Sequence, residues 1–509
     1  MKRIIHPFLF TLSSLLFIYI RAVSYISPDE IVRPLLVLWL ILAIMVYPLY
    51  RMVRDWSMVG VLLSIFAFAF YFSYYFFTLI FFSIVVVFLI WWWRLTAWKR
   101  KLDGRQVAIV LNSTSAILIV LELNFLLLNL SSTQLQVYKS MWQATVLPKS
   151  VALTSPSTRP DIYYIILDGY GSADVLREYY GFDNSQFINA LSAKGFLIPS
   201  GNYSNYPRTV SSLTSTLNME YLQTLIPGLE SSSLWWTVIP FLDRNVVSNS
   251  LDSIGYRTVV IDTNWTITDL RTAGEYYRPY PVMLNDYESY LLDSTPLKMF
   301  KPAMQMFASV STSETRQRVT QFNIDTLATL HESPGPKFVF AHILSPHPPS
   351  ASEFTRTRTE YKQGYIEQLE SLNTQVDAMV DAILRNSNVP PIILLQADHG
   401  PGMFTNFDNM SSTCLNERFS PLAAYYLPGV KAEDLPPNMT SVNLFRFVFN
   451  HYFNAGLPLL ENREYSFQNK EYIFEPLDVT DRVGETCPIG PVPGSAIPGF
   501  IKIEYLFGQ

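Results

Sequence analysis

The chain has 509 residues, 49% apolar, 15% aromatic and only 16% charged, with a mean hydropathy of +0.17 and a net charge of −5. A soluble domain carries about 25% charged residues; this composition points to membrane and excludes intrinsic disorder, a collagen-like chain and a small disulfide scaffold. Residues 1–130 hold 11 Lys/Arg against 5 Asp/Glu and the remainder 26 against 37, so the C-terminal part is acidic, lacks a basic stripe and does not suit nucleic acid.

A membrane-spanning helix needs about 20 apolar residues. Five segments meet this, near 7–26, 32–50, 57–74, 76–93 and 107–130. Lys2 and Arg3, then Arg51 and Arg54, then Arg94, Lys99, Arg100, Lys101 and Arg105 mark one side of the membrane. The positive-inside rule makes that side cytoplasmic and leaves the C-terminal domain outside. Residues 1–26 also read as a signal peptide, but no small-residue cleavage site follows Ile20, and an uncleaved helix is preferred. Glu122 falls inside the fifth span; such a carboxylate either packs against neighbouring helices or serves function directly. One carboxylate is thin support for a transport path.

Residues 131–159 are polar and punctuated by Pro148 and Pro156, which suits a connector, with room for a surface helix near Val137–Val146. From residue 160 to 509 the pattern is α/β. Ile162–Leu167 is a buried strand ending at Asp168. Arg257–Ile261 ends at Asp262, Phe338–Leu344 precedes Ser345-Pro346-His347, Ile392–Gln396 ends at Ala397-Asp398-His399-Gly400, and Ala423–Leu427 follows. Glu360–Arg385 has the apolar spacing of a helix. Apolar strands alternating with helices predict a doubly wound, mostly parallel sheet. Ligands bind such sheets beyond the carboxyl ends of the strands, where Asp168, His347, Asp398 and His399 all fall.

Carboxylates with imidazole suit one divalent ion, Zn²⁺ or Mn²⁺. Asp168 has a competing role as cap of the helix predicted over Ser172–Tyr180. Asn205–Met219 is dense in hydroxyls, and a helix starting near Val210 puts Thr209 at its N-cap. Thr209 either caps that helix or, activated by a metal, attacks an electrophile. Arg208 is placed to pair with a phosphate or to sit on the surface. His342, inside an apolar run, reads as a core or supporting histidine; His347 lies where it could bind a phosphate oxygen or protonate a leaving group. Trp235 and Trp236 face either lipid or the core. Cys414 and Cys487 either form a disulfide or stay free; their spacing does not fit a metal cluster.

The order DGYG, a threonine at a hydroxyl-rich helix start, SPHPP and ADHG resembles the sulfatase-like branch of the alkaline phosphatase superfamily over Pro160–Tyr426. With the five spans, the whole chain resembles lipoteichoic acid synthases and lipid A phosphoethanolamine transferases, membrane enzymes that move a phospholipid headgroup to an extracytoplasmic acceptor. The resemblance implies Asp168, Thr209, Asp398 and His399 as metal ligands, Thr209 as the nucleophile that becomes phosphorylated, and His347 as a substrate-binding histidine. The transferases use Glu as first ligand where this chain has Asp168. The CxPxR element that sulfatases convert to formylglycine is absent, and the DxxxH element of two-metal phosphatases is not evident, which favours one metal. The expected protein is a phosphotransferase in the plasma (inner) membrane, its catalytic domain extracytoplasmic. Its expected partners are a phospholipid donor and a surface glycan or lipid acceptor, with phosphoethanolamine or phosphoglycerol transferred and no obligate protein partner. Acceptor choice is expected in loops such as Met283–Thr326. A hydrolase with the same site and a non-catalytic glycan-binding protein are the alternatives.

Overall fold

The computed structural model describes residues 5–22, 28–72, 104–128 and 149–487, except 233–234, 264, 266–267, 269, 271, 281–283, 296–298, 300, 305–312, 348–357 and 470–471. The expected fourth span and the surface helix near Val137–Val146 lie outside the described residues. The chain forms two compact units, Met1–Ser131 with Val282–Val310, and Ser132–Pro281 with Ser311–Gln509. Segment 282–310 thus groups with the N-terminal helices, which a division at residues 130 and 160 does not anticipate.

The first unit contains α1 (His6–Ala22), α2 (Val32–Val53), α3 (Trp56–Phe72) and α4 (Gly104–Leu128). Among the described residues two helical stretches are long and apolar enough to cross a membrane, Pro28–Val53 and Gln106–Leu126; α1 and α3 are 17-residue apolar helices. Glu122 accepts a hydrogen bond from Ser13 Oγ at 2.8 Å, so its carboxylate is engaged by a facing helix, as polar groups inside helix bundles tend to be. A short helix, Asp286–Ser294, opens with a capping box between Asn285 and Glu288. Tyr287 donates its hydroxyl to the Leu15 carbonyl at 2.7 Å and its amide to Glu30 Oε2 at 3.1 Å, and Glu288 pairs with Arg33. Those polar ties and the buried Leu15–Tyr19–Ile31–Tyr287–Leu291 cluster fix this helix to α1 and α2.

The second unit is built on a six-stranded sheet in the order β3-β2-β4-β1-β5-β6. The strands are β1 (Ile162–Leu167), β2 (Arg257–Ile261), β3 (Glu275–Tyr277), β4 (Lys337–Ile343), β5 (Ile392–Gln396) and β6 (Ala423–Tyr426). All pairs are parallel except β5 with β6. The central strands are buried on both faces because each side chain meets a helical layer. Tyr163, Ile165 and Leu167 pack on α5 (Ala173–Tyr180) and α7 (Arg358–Asn386). Ile162, Tyr164 and Ile166 pack against α6 (Thr209–Asn218) and α8 (Ser441–Phe453). Trp235 and Trp236 are buried in a 3-10 turn of this unit, which favours their core reading.

Cys414 and Cys487 form a disulfide with a Cα–Cα distance of 5.5 Å, bridging 73 positions of sequence. Closing a loop of that length restricts the unfolded chain by about 4 kcal/mol. Cys487→Ser is therefore expected to lower unfolding stability by about 4 kcal/mol in denaturant melts. A melt superimposable on that of the unmodified, non-reduced chain would contradict it.

Candidate active site

The carboxyl ends of β1, β4 and β5 converge, and the turns leaving them carry the polar groups. Asp168 follows β1 directly, and its amide donates to the Ile343 carbonyl at 3.0 Å. Gly169 takes a left-handed φ of +68°, and its amide donates to Asp398 Oδ1 at 3.1 Å, tying the two acidic turns together. At Gly400 a Cβ would lie 1.9 Å from the Glu417 carbonyl oxygen, so a side chain there is excluded. The close approach that this glycine serves is to the backbone of Glu417.

Two tyrosines on α7 hold these turns from behind. Tyr365 Oη donates to the Gly169 carbonyl at 2.8 Å and accepts from the Gly171 amide at 3.1 Å. Tyr361 Oη accepts from the Gly402 amide at 3.1 Å. One helix turn separates them, so one helix face sets both acidic loops. Glu417 accepts from the Met403 and Phe404 amides and from Tyr180 Oη. Tyr365→Phe leaves a buried carbonyl and amide short of a partner, a cost of about 1–3 kcal/mol. It is expected to lower the melting point and to weaken metal binding by about 10-fold, read by zinc titration; wild-type values for both would contradict the clamp.

Asp168, Thr209, Asp398 and His399 meet at one point. His399 Nε2 lies 3.2 Å from Thr209 Oγ1, 3.2 Å from Asp398 Oδ2 and 3.9 Å from Asp168 Oδ1. Two sequence readings are corrected here. Helix α6 begins at Thr209 itself, with Arg208 at the N-cap and no side-chain cap; the Thr209 hydroxyl is turned to His399 and caps nothing. The cap of α5 is Ser172, accepting from the Val175 amide, which frees Asp168 from that role.

His399 Nδ1 faces the Gly400 carbonyl at 2.9 Å. A carbonyl only accepts, so Nδ1 carries the proton. Burial and the nearby Arg418 charge hold the His399 imidazole well below its usual range, so it is neutral with its Nε2 lone pair pointing into the cluster. Burial, then the charge of Asp168, pushes the Asp398 carboxyl up. Burial would do the same to Asp168, but the neighbouring histidines, His347 foremost, outweigh it electrostatically and that carboxyl stays low. Asp168 Oδ1, Asp398 Oδ2 and His342 Nε2 are buried and have no hydrogen-bond partner. Buried polar atoms rarely go unpaired, and two carboxylates with neutral imidazole are hard and borderline donors. The residues present therefore fit a divalent cation.

The remaining groups stand at the rim. His347 is half-buried beyond a cis Ser345–Pro346 bond, its carbonyl facing Arg316 at 3.4 Å, and it lies near enough to influence both Asp168 and His399 electrostatically. Arg208 is half-buried, with its guanidinium 5.1 Å from the Phe407 ring centroid and 5.6 Å from that of Phe467. Arg418 is a functional residue that the sequence does not single out. Its Nη2 lies 3.0 Å from His399 Nε2, its Nε donates to the Pro207 carbonyl at 2.7 Å, and its Nη1 reaches the Gly400 carbonyl at 3.2 Å. One buried guanidinium so joins the approach to Thr209 with the turn carrying His399. Only its place after the Cys414 turn, next to Glu417, brings it there, and no local pattern announces that.

The sulfatase family model matches residues 160–451. The chain belongs to this family and is a sulfatase-like member of the alkaline phosphatase superfamily. No curated protein matches it. Among solved structures it is similar to the C-terminal periplasmic domain of EcEptC from Escherichia coli, at 11% identity over 68% of this chain and 99% of that one, TM-score 0.44. It is also similar to the C-terminal periplasmic domain of phosphoethanolamine transferase EptC from Campylobacter jejuni, at 10% identity, 59% and 90% coverage and TM-score 0.35. A third is the phosphonate monoester hydrolase SpPMH from Silicibacter pomeroyi, at 11% identity, 59% and 74% coverage and TM-score 0.37.

Proposed function

We propose that this chain is a membrane-anchored, metal-dependent phosphotransferase. It moves a phospholipid headgroup, phosphoethanolamine or phosphoglycerol, through a phospho-threonine to a surface glycan or lipid. The observation that carries this reading is the Thr209 hydroxyl, buried at the first position of α6 and 3.2 Å from His399 Nε2. The free amides of a helix start favour the anion that would arrive there. The five spans read from the sequence support a plasma (inner) membrane protein with its catalytic domain extracytoplasmic, and anchoring raises the local concentration of a lipid donor.

Asp168, Asp398, His399 and the Thr209 hydroxyl would hold the ion, zinc or manganese, which when bound supplies a lowered hydroxyl pKa and neutralises phosphoryl charge. Thr209, its hydroxyl proton lost to solvent at the lowered pKa, attacks the donor phosphorus through Oγ1 as an alkoxide; the new O–P bond forms as the bond to diacylglycerol breaks. His347, at the rim, serves as the acid that gives a proton to the departing diacylglycerol oxygen. Arg208 takes a phosphoryl oxygen through its guanidinium. The acceptor hydroxyl then passes its proton to His347 and attacks phosphorus, and Thr209 leaves as it entered.

Purified full-length protein in mixed micelles of phosphatidylethanolamine and phosphatidylglycerol tests this. Diacylglycerol release that rises when a glycan acceptor is added, with the headgroup recovered on the acceptor, is expected. Equal release with and without acceptor makes water the acceptor and the protein a hydrolase. No release in any condition contradicts the proposal.

A further inference from the structure

We infer that His342 is a ligand of the same divalent ion, entering the site from the end of β4; the inference rests on the metal-dependent reading above. His342 is fully buried near the carboxyl end of β4, flanked in sequence by Ala341 and Ile343, and nothing in its local sequence separates it from a packed histidine. Its two nitrogens decide its role. Nδ1 lies 3.0 Å from Thr268 Oγ1. Nε2 has no hydrogen-bond partner, although it lies 3.4 Å from Asp168 Oδ2. An imidazolium–carboxylate pair closes to about 2.7–2.9 Å, so this contact is not a formed ion pair. Two ligands about 2.1 Å from a tetrahedral ion sit about 3.4 Å apart, and that is the spacing observed.

One ligand atom each from Asp168, His342 and Asp398 fall within 4.8 Å of one another, all three residues buried. The unpartnered atoms of the cluster, Asp168 Oδ1, Asp398 Oδ2 and His342 Nε2, belong to these same three side chains. A cation among them satisfies all three at once. A packed core histidine would leave Nε2 wanting and would not explain why two carboxylates are turned towards it.

The surroundings prepare His342 for this. Thr268 directs its own hydroxyl to the Trp265 carbonyl at 3.5 Å and so accepts from Nδ1–H, the tautomer that leaves the lone pair on Nε2. The indole of Trp265 packs on the imidazole with ring centroids 5.7 Å apart, which limits rotation of the ring. Thr268 and Trp265 are accordingly positioning residues for a ligand.

The test is zinc affinity of the metal-stripped, full-length protein, measured by competition with a chromophoric chelator, with the visible spectrum of the cobalt-loaded form as second readout. His342→Gln keeps the volume and is expected to weaken zinc binding by at least about 100-fold and to change the cobalt bands, while Thr268→Val weakens it by about 10-fold. Wild-type affinity and an unchanged cobalt spectrum in His342→Gln would overturn the assignment. Asp398→Asn runs alongside. If it binds zinc as wild type does, the metal-dependent reading itself fails; if it loses zinc while His342→Gln does not, only the His342 assignment fails. Should His342→Gln not fold, by circular dichroism and melting, Thr268→Val decides, because a core-packing role for His342 predicts no change in its zinc affinity.

Discussion

Thr209→Ala is expected to lower diacylglycerol release by about 10⁴-fold, as loss of a covalent nucleophile does, while Thr209→Ser keeps most of the activity. The serine retains the attacking oxygen at the first position of α6; the alanine removes it, and with it one of the groups that would hold the ion. Thr209 takes no part in capping α6, so the loss of a cap, about 1 kcal/mol, does not accompany the substitution. The melting point of the alanine protein should therefore stay close to wild type. A fall in melting point with retained release would return Thr209 to a structural role.

Asp398→Asn should separate stability from activity in the opposite sense. Asp398 is buried, its Oδ1 held by the Gly169 amide and its Oδ2 unpartnered beside Asp168. An asparagine keeps the accepting oxygen and removes a negative charge that burial and Asp168 both oppose. Without metal the variant should melt at or above the wild-type temperature. With zinc it should gain none of the stabilisation that a bound ligand confers. Turnover should fall by about 10³-fold, the several kcal/mol that a cation contributes at a phosphoryl centre. The raised carboxyl of Asp398 sets the sign of the pH effect. A group whose folded pKa lies above its unfolded value stabilises the fold below the unfolded pKa, and that stabilisation is lost as pH rises through the folded one. The metal-free wild type should lose stability on that rise, and Asp398→Asn should not. Equal zinc-dependent shifts in melting temperature for both proteins would contradict this account.

Much of the catalytic unit was legible because its strands are short apolar runs with an acid or histidine immediately after them. Asp168 and Asp398-His399 sit at ends of neighbouring parallel strands, and the rule that ligands gather there is enough to bring them together. The long helix α7 was readable from its three- and four-residue apolar spacing. What failed was whatever depends on tertiary neighbours. Strand β3 is three half-buried residues at a sheet edge and carries no pattern. Thr209 was displaced by one position because an uncapped start leaves no signal in sequence. His342 hides in an apolar strand whose periodicity cannot distinguish a ligand from a filler. Tyr361, Tyr365 and Arg418 act through backbone groups far along the chain. Segment 282–310 joins the N-terminal helices through Tyr287, Glu30 and Arg33, a set of contacts that no local spacing encodes.

In the proposed reaction Thr209 carries the transferred group. Peptide mass spectrometry across Thr209, after the purified protein is incubated with mixed phospholipids and a divalent metal and quenched in acid, tests it directly. An added mass of phosphoethanolamine or phosphoglycerol is expected on Thr209, absent from Thr209→Ala and lost when acceptor is supplied. Headgroup release that proceeds with Thr209 unmodified at every time point would contradict it.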